Sequence, residues 1–161
     1  MPFFPTRQLL SQCVNRAIVY SQNGDPSKVL NVLRYRSLPP PKPNTVNIRF
    51  ILAPIHPADL NVIEGVYPAK PVSDITLGKD GSYEPVFVGG NEGLAKVTDV
   101  GDGANGFKRE DWVIMVKPQI GTWCTSKNVG VDEVLKVPRV DGLSEVNAAT
   151  MTVCFHYWCS V

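Results

Sequence analysis

The sequence predicts a mainly β domain, a partly open barrel carrying a few short helices. Three observations lead there. The chain has 161 residues and is 43% hydrophobic, enough for one domain with a single core. Fourteen Pro and thirteen Gly punctuate it and break long helices. Its apolar residues fall in short, partly alternating runs between those breaks. Charge and hydropathy exclude other classes. Sixteen Lys+Arg against fifteen Asp+Glu leave +1, no excess that would draw the chain to nucleic acid. No apolar run reaches the roughly 20 residues a membrane-spanning helix requires, so no membrane insertion is expected.

The N-terminus stands apart. Residues 1–24 contain Arg7 and Arg16 and no acid; the first carboxylate is Asp25. Leu9, Leu10 and Val14 fall on one side of a helix drawn through 8–16, with Thr6 and Ser11 nearby. This is the composition of a mitochondrial presequence, expected over 1–16 with cleavage before Ala17.

Ala17–Gln22 is a β-prone run, ended by the turn signal Asn23-Gly24-Asp25-Pro26. Val29–Arg36 returns as a second strand, and Pro39–Pro43 forms a stiff surface linker. Thr45–Ala53 alternates Val46, Ile48, Phe50 and Leu52 with Asn47, Arg49 and Ile51, a clear strand stopped by Pro54. Ala58–Glu64 makes a short helix that Gly65 terminates. Lys70–Gly81 reads as loop. Pro85–Val88 leads into the turn Gly89-Gly90-Asn91-Glu92-Gly93, and Leu94–Val100 follows as a strand. Asp111–Val116 is a compact apolar strand, Gly121–Val129 a β-rich stretch, and Val134–Val137 a short strand. Ser144 caps a last helix with Glu145 in its first turn.

Cys13, Cys124, Cys154 and Cys159 form no C-x-x-C pair, and His56 and His156 are the only histidines. A Cys/His metal finger is therefore poorly supported, and reduced thiols are the expectation.

Three ordered segments carry a resemblance: HPADLNVIEGVYPAKP (His56–Pro71), VGGNEGLAKVTDVG (Val88–Gly101), and Asp111-Trp112 followed by Gly121-Thr122-Trp123. Together they resemble the N-terminal catalytic domain of the medium-chain dehydrogenase/reductases. Within that superfamily they are most similar to mitochondrial trans-2-enoyl-thioester reductases of fungal type, over about Ala17 to Val153. The resemblance implies a GroES-like barrel joined to a Rossmann domain, with the active site in the cleft between them. It implies NADPH-dependent reduction of enoyl-acyl carrier protein or enoyl-CoA in mitochondrial fatty-acid synthesis, in the matrix, by a protein that can be a homodimer.

Such a reduction delivers hydride to Cβ and a proton to Cα, and needs a donor for the developing enolate oxygen. The resemblance assigns that donor to Tyr67, a hydroxyl that is uncharged at rest. Gly65 lets the chain turn after the helix, and Pro68 confines the Tyr67 backbone to extended geometry. Trp123 matches a tryptophan lining the acyl pocket, although a lone strand Trp reads more readily as core. Asn61 is a candidate for positioning substrate or nicotinamide, or a satisfied helix-surface amide. Glu92, beside a glycine turn, reads as a structural carboxylate more readily than as an acid/base.

The zinc-binding branch of the superfamily has metal ligands at positions matched here by His56 and Asn91. One imidazole and one amide make a poor zinc site, so no metal is expected, and His56 reads as a hydrogen-bonded structural residue. After Val153 the pattern departs: the chain reads Cys154-Phe155-His156-Tyr157-Trp158-Cys159-Ser160-Val161, and no G-x-G-x-x-G occurs. Residues 17–153 are then the barrel, with the family's Rossmann domain absent, and 154–161 an aberrant tail produced by a frameshift, intron read-through or early stop. The chain is expected to be a truncated catalytic half that does not bind NADPH by itself. Two further readings stay open: a non-enzymatic barrel fragment that pairs with other subunits, and a zinc-free quinone reductase of the same superfamily.

Overall fold

A computed structural model describes residues 15–67, 71 and 86–152. Two open antiparallel sheets form the body. Strands β1 (Asn15–Tyr20), β2 (Asn31–Tyr35) and β4 (Phe87–Val88) make a three-stranded sheet in the order β2-β1-β4. Strands β3 (Thr45–Leu52), β5 (Leu94–Val100), β6 (Trp112–Met115), β7 (Ser126–Gly130) and β8 (Val134–Val137) make the second, in the order β7-β3-β5-β6-β8. Short helices α1 (Pro26–Val29), α2 (Pro57–Glu64) and α3 (Glu145–Ala149) decorate them. An isolated bridge between Ala17 and Cys124 ties the segment before β7 to β1 and so links the sheets. This is the mainly β, partly open barrel the sequence predicts.

The core follows from the strand pattern. Val46 and Ile48 of β3 point inward with Ala95 and Val97 of β5, Val113 and Met115 of β6, and Val129 and Val134. Trp112 and Ile114 take the other face of β6 and pack with Leu94 and Val137 against Ala148 and Ala149 of α3. Strand β6 is thus covered on both sides, which is why its run W-V-I-M is continuous rather than alternating. Asn47 is buried on β3, but its Nδ2 donates to the Pro39 carbonyl and its Oδ1 accepts from Asn128. A polar residue on a central strand is tolerated because both ends of its amide are satisfied.

Three local differences from the sequence reading have physical causes. Strand β1 starts at Asn15, two residues before the Ala17 boundary. Asn15 is buried and its Nδ2 donates to the Arg36 carbonyl, while Arg16 N–H donates to Thr125 Oγ1. The turn at Asn23–Pro26 continues into α1, because Asp25 Oδ1 accepts the Ser27 N–H and Pro26 presets the first helical φ. Residues 121–125 are not a strand: Gly121 sits at φ 80°, and the backbone bonds there add up to one isolated β-bridge, at Cys124, rather than a ladder. Strand β7 therefore begins at Ser126. The loop expected over Lys70–Gly81, apart from Pro71, and the segments 1–14 and 154–161 lie outside the described residues.

Candidate functional site

Helix α2 builds one wall of a cleft. Pro57 occupies its first turn, where a missing N–H costs nothing. His56 caps it: Nδ1 accepts the Ala58 N–H at 3.1 Å, and the Asp59 carboxylate reaches back to the His56 N–H at 2.7 Å. At the other end Gly65 adopts φ 83°, closing the helix in left-handed geometry. The freed carbonyl of Asn61 then accepts from Val66 N–H at 3.0 Å and from Tyr67 N–H at 3.2 Å. Asn23 Nδ2 donates to the carbonyls of Val62 and Ile63 and completes the cap. Tyr67 is therefore held by its backbone just past the last turn of α2, and the residue is 43% exposed. Pro68 lies outside the described residues.

The cleft so formed has a volume of about 290 Å³. Tyr67, Asn61 and His56 line it from the α2 side, Asn91 and Glu92 from the loop after β4, and Lys117 and Pro118 from the loop after β6. Thr152 closes the remaining edge, its Oγ1 donating to Glu92 Oε1 at 2.8 Å. Glu92 is buried, and this partner is a hydroxyl where the glycine turn had suggested a backbone amide. Two of the three sequence candidates, Tyr67 and Asn61, thus meet in one cleft.

Trp123 does not join them. It lines a separate open groove of about 610 Å³ with Phe50, Leu52, Ile55, Leu60 and Arg16. Its indole Nε1 donates to the Pro54 carbonyl at 3.1 Å, and its ring lies flush against Gly89 and Gly90.

Two charged groups that sequence reasoning passed over stand at the cleft: Asp59 buried behind it and Lys117 on its lining. Asp59 is 2% exposed, and burial pushes its carboxyl above the ordinary value, against the hydrogen bonds from His56 and Asn91 that favour the anion. Lys117 is held above its usual value by its bond to Asp132 at 2.9 Å, with Glu133 adding attraction at 3.9 Å. The sequence carried a trace of the first: a carboxylate three residues after a capping side chain is the spacing of a reciprocal helix cap. Nothing local pointed to Asn91 or Lys117, because their roles depend on loops that are distant in sequence.

Among the described residues no group of three His, Cys, Asp or Glu side chains converges as a metal site. His56 has one ring nitrogen committed to its helix cap, and Asn91 offers an amide. Every described strand pairing is antiparallel, so no parallel strand–turn–helix unit is present among them to seat a dinucleotide. The described residues do not fit that group by themselves.

No protein-family model matches the chain. It is 38% identical over 162 residues to the mitochondrial enoyl-[acyl-carrier-protein] reductase of Schizosaccharomyces pombe, covering 95% of this chain and 42% of that protein. It is 36% identical over 159 residues to enoyl-[acyl-carrier-protein] reductase 2, mitochondrial, of Debaryomyces hansenii, covering 91% and 40%. Among solved structures, the complex of Etr1p with NADP and crotonyl-CoA superposes with a TM-score of 0.80 at 32% identity, over 87% of this chain and 40% of that one. The mitochondrial 2-enoyl thioester reductase heterodimer Etr1p/Etr2p of Candida tropicalis gives 0.75 at 33% identity, over 85% and 40%. A quinone reductase from Bacillus thuringiensis gives 0.70 at 26% identity, over 91% and 40%. The chain spans about two-fifths of the length of these relatives.

Proposed function

We propose, from homology over nine-tenths of its length to mitochondrial enoyl-[acyl-carrier-protein] reductases, that this chain is the substrate-facing part of a 2-enoyl-thioester reductase in the medium-chain dehydrogenase/reductase superfamily. The substrates of the whole protein are then enoyl thioesters of acyl carrier protein or coenzyme A, and its compartment the mitochondrial matrix. The quinone-reductase reading has the weaker support, at lower identity and lower structural similarity.

The observation that carries the reading is the placement of Tyr67 on the cleft next to Asn61. Reduction of an enoyl thioester builds negative charge on the carbonyl oxygen as Cβ is reduced. A phenol fixed by its backbone donates to that oxygen with little reorganisation, which is the way preorganised donors lower a barrier. The Asn61 carbonyl does the fixing, and its side-chain amide is a second cleft donor that orients the acyl group. Trp123 enters the reading only through the apolar groove it lines, where hydrocarbon is better accommodated than charge. NADPH supplies the hydride in this reading, and its grip belongs to the part of the relatives that this chain does not span. Zinc has no role in it: an imidazole committed to a helix cap and an amide do not polarise a carbonyl as a metal centre would.

The test is Tyr67→Phe in a chimera joining this chain to the remaining part of the S. pombe relative. With crotonyl-CoA at saturating NADPH, kcat should fall by roughly 10²–10³, the scale for losing one oxyanion donor. An unchanged kcat removes Tyr67 from the mechanism, and a chimera inactive with enoyl thioesters but active with quinones overturns the substrate class.

A further inference from the structure

The cleft rim carries a backbone oddity. Gln119, two residues after the cleft-lining Lys117, sits at φ 60°, in the left-handed region that a side chain disfavours. Such a residue persists only when its surroundings hold it there. Its N–H donates to Asn91 Oδ1 at 2.8 Å. Asn91 in turn donates through Nδ2 to Asp59 Oδ1 at 2.6 Å, and the other oxygen of that carboxylate accepts the His56 N–H at 2.7 Å. The chain of bonds therefore runs from the start of α2, through two side chains, to the loop after β6.

The orientation of the Asn91 amide follows from its partners. As an anion Asp59 accepts from the His56 N–H and from both the side-chain amide and the backbone N–H of Asn91, and the Gln119 N–H can only donate. Only one amide orientation satisfies both, with Nδ2 toward Asp59 and Oδ1 toward Gln119. The anionic acceptor makes the first bond the stronger of the two. Asp59 has no exposed surface to speak of, so it does not meet a ligand itself.

From this geometry we propose that Asp59 is a positioning residue of the cleft: acting through Asn91, it holds Gln119 in its left-handed backbone and so sets the Lys117–Pro118 rim opposite His56 and Tyr67. The proposal rests on hydrogen-bond geometry and stands whichever reaction the cleft serves.

The relay has a polarity, and polarity can be reversed. In Asp59→Asn, the new Oδ1 still accepts the His56 N–H, but its NH₂ confronts that of Asn91. If Asn91 turns over to accept from it, an NH₂ faces the Gln119 N–H. One bond is lost whichever way the amide lies. In the double variant Asp59→Asn/Asn91→Asp, the amide now at position 59 accepts from His56 and donates to the carboxylate now at position 91. That carboxylate accepts from Gln119 with its other oxygen. All three bonds return, with the charge moved to the neighbouring side chain of the relay.

Amide hydrogen exchange on the 161-residue chain, read by NMR, tests this. Asp59→Asn should speed exchange at Gln119 by roughly tenfold, the scale of one net hydrogen bond. Core amides of β5 and β6 should hold their wild-type rates. The double variant should bring Gln119 back to within about twofold of wild type on the same scale. A general loosening has no reason to be repaired by a second substitution, so recovery separates positioning from mere stability. Unchanged Gln119 exchange in Asp59→Asn, or no recovery in the swap, overturns the proposal. Should Asp59→Asn fail to fold, Asn91→Ala decides: Gln119 exchange must rise while the His56 N–H, still bonded to Asp59, stays protected. Both rising together, or neither, overturns it.

Discussion

Substituting Gly89 by Ala probes how firmly Trp123 is seated. A methyl built on Gly89 would lie 2.9 Å from Trp123 Cζ3 and 3.2 Å from Cδ2, and closer still to Cε3. Ordinary carbon contacts begin near about 3.5 Å, so the ring must retreat by at least roughly 0.6 Å even at Cζ3. Its freedom to do so is small. The indole Nε1 is bonded to the Pro54 carbonyl, the Trp123 N–H to the Gly89 carbonyl at 2.9 Å, and the Trp123 carbonyl to Ile18 N–H at 2.9 Å. Overpacking of this kind costs about 1–3 kcal/mol. Losing the indole bond if the ring swings out adds about 1 kcal/mol. The sum, about 2–4 kcal/mol, corresponds to a drop in Tm of roughly 4–16 °C for a domain of this size. Thermal unfolding followed by circular dichroism measures it. Trp123→Phe in the same background shortens the ring and should recover part of the loss, so the two changes will not be additive. A Gly89→Ala protein with Tm within about 2 °C of wild type would mean that the ring relocates freely, and the fixed-wall picture of Trp123 would fail.

Three other outcomes follow from the site and its surroundings. The Asp111 carboxyl is pulled up by burial, but Lys136 at 2.7 Å and the N–H and charge of Lys108 outweigh this and hold it below its ordinary value. A lowered folded value stabilises above the unfolded pKa and is lost as pH falls through the folded one. Asp111→Asn should therefore unfold at lower urea than wild type at pH 6, with a smaller further decline toward pH 3; parallel curves would contradict this. The purified 161-residue chain should show no NADPH affinity tighter than millimolar when cofactor fluorescence is titrated, and micromolar binding with turnover of an enoyl thioester would reveal a cofactor site in these residues. N-terminal sequencing of the protein from purified mitochondria should find a start at or before Asn15, since Asn15 and Arg16 are paired in β1. A start after Arg16 would refute the strand-based boundary, and a retained Met1 the presequence.

Much of the barrel could be read in the sequence because its signals are local. Strands β5 and β8 fall where their apolar runs lie, and β3 ends at Leu52, one residue short of the expected Ala53, ahead of the Pro54 stop. Helix α2 ends where Gly65 says it must. The role of Tyr67 came from the resemblance; what local signals carried is that Asn61, Gly65 and Tyr67 sit within seven residues at one helix C-terminus. What the sequence hid depends on distance. Asn91 meets Asp59 across 32 positions and Gln119 across 28, and no spacing rule connects loops that only the folded sheets bring into contact. Trp123 lies apart from Tyr67 and Asn61 for a related reason. The stretch around it is rich in β-formers, yet Gly121 at positive φ takes it out of the sheet, and its ring turns to Gly89 and Gly90 rather than to the cleft.

The pairing of β1 bears on when the chain can fold. Arg16 and Thr125 exchange bonds across 109 positions: the Arg16 N–H donates to Thr125 Oγ1, and the Thr125 N–H donates to the Arg16 carbonyl. Strand β1 can pair with the nearby β2 early, but its seam to the large sheet waits until Thr125 has been made. At about 5–20 residues per second that delay is roughly 5–20 s, long on the scale of local structure formation. During it the small sheet lacks this link to the large one. Bringing Thr125 nearer in sequence, by circular permutation, would close the seam early and trade that window for faster folding.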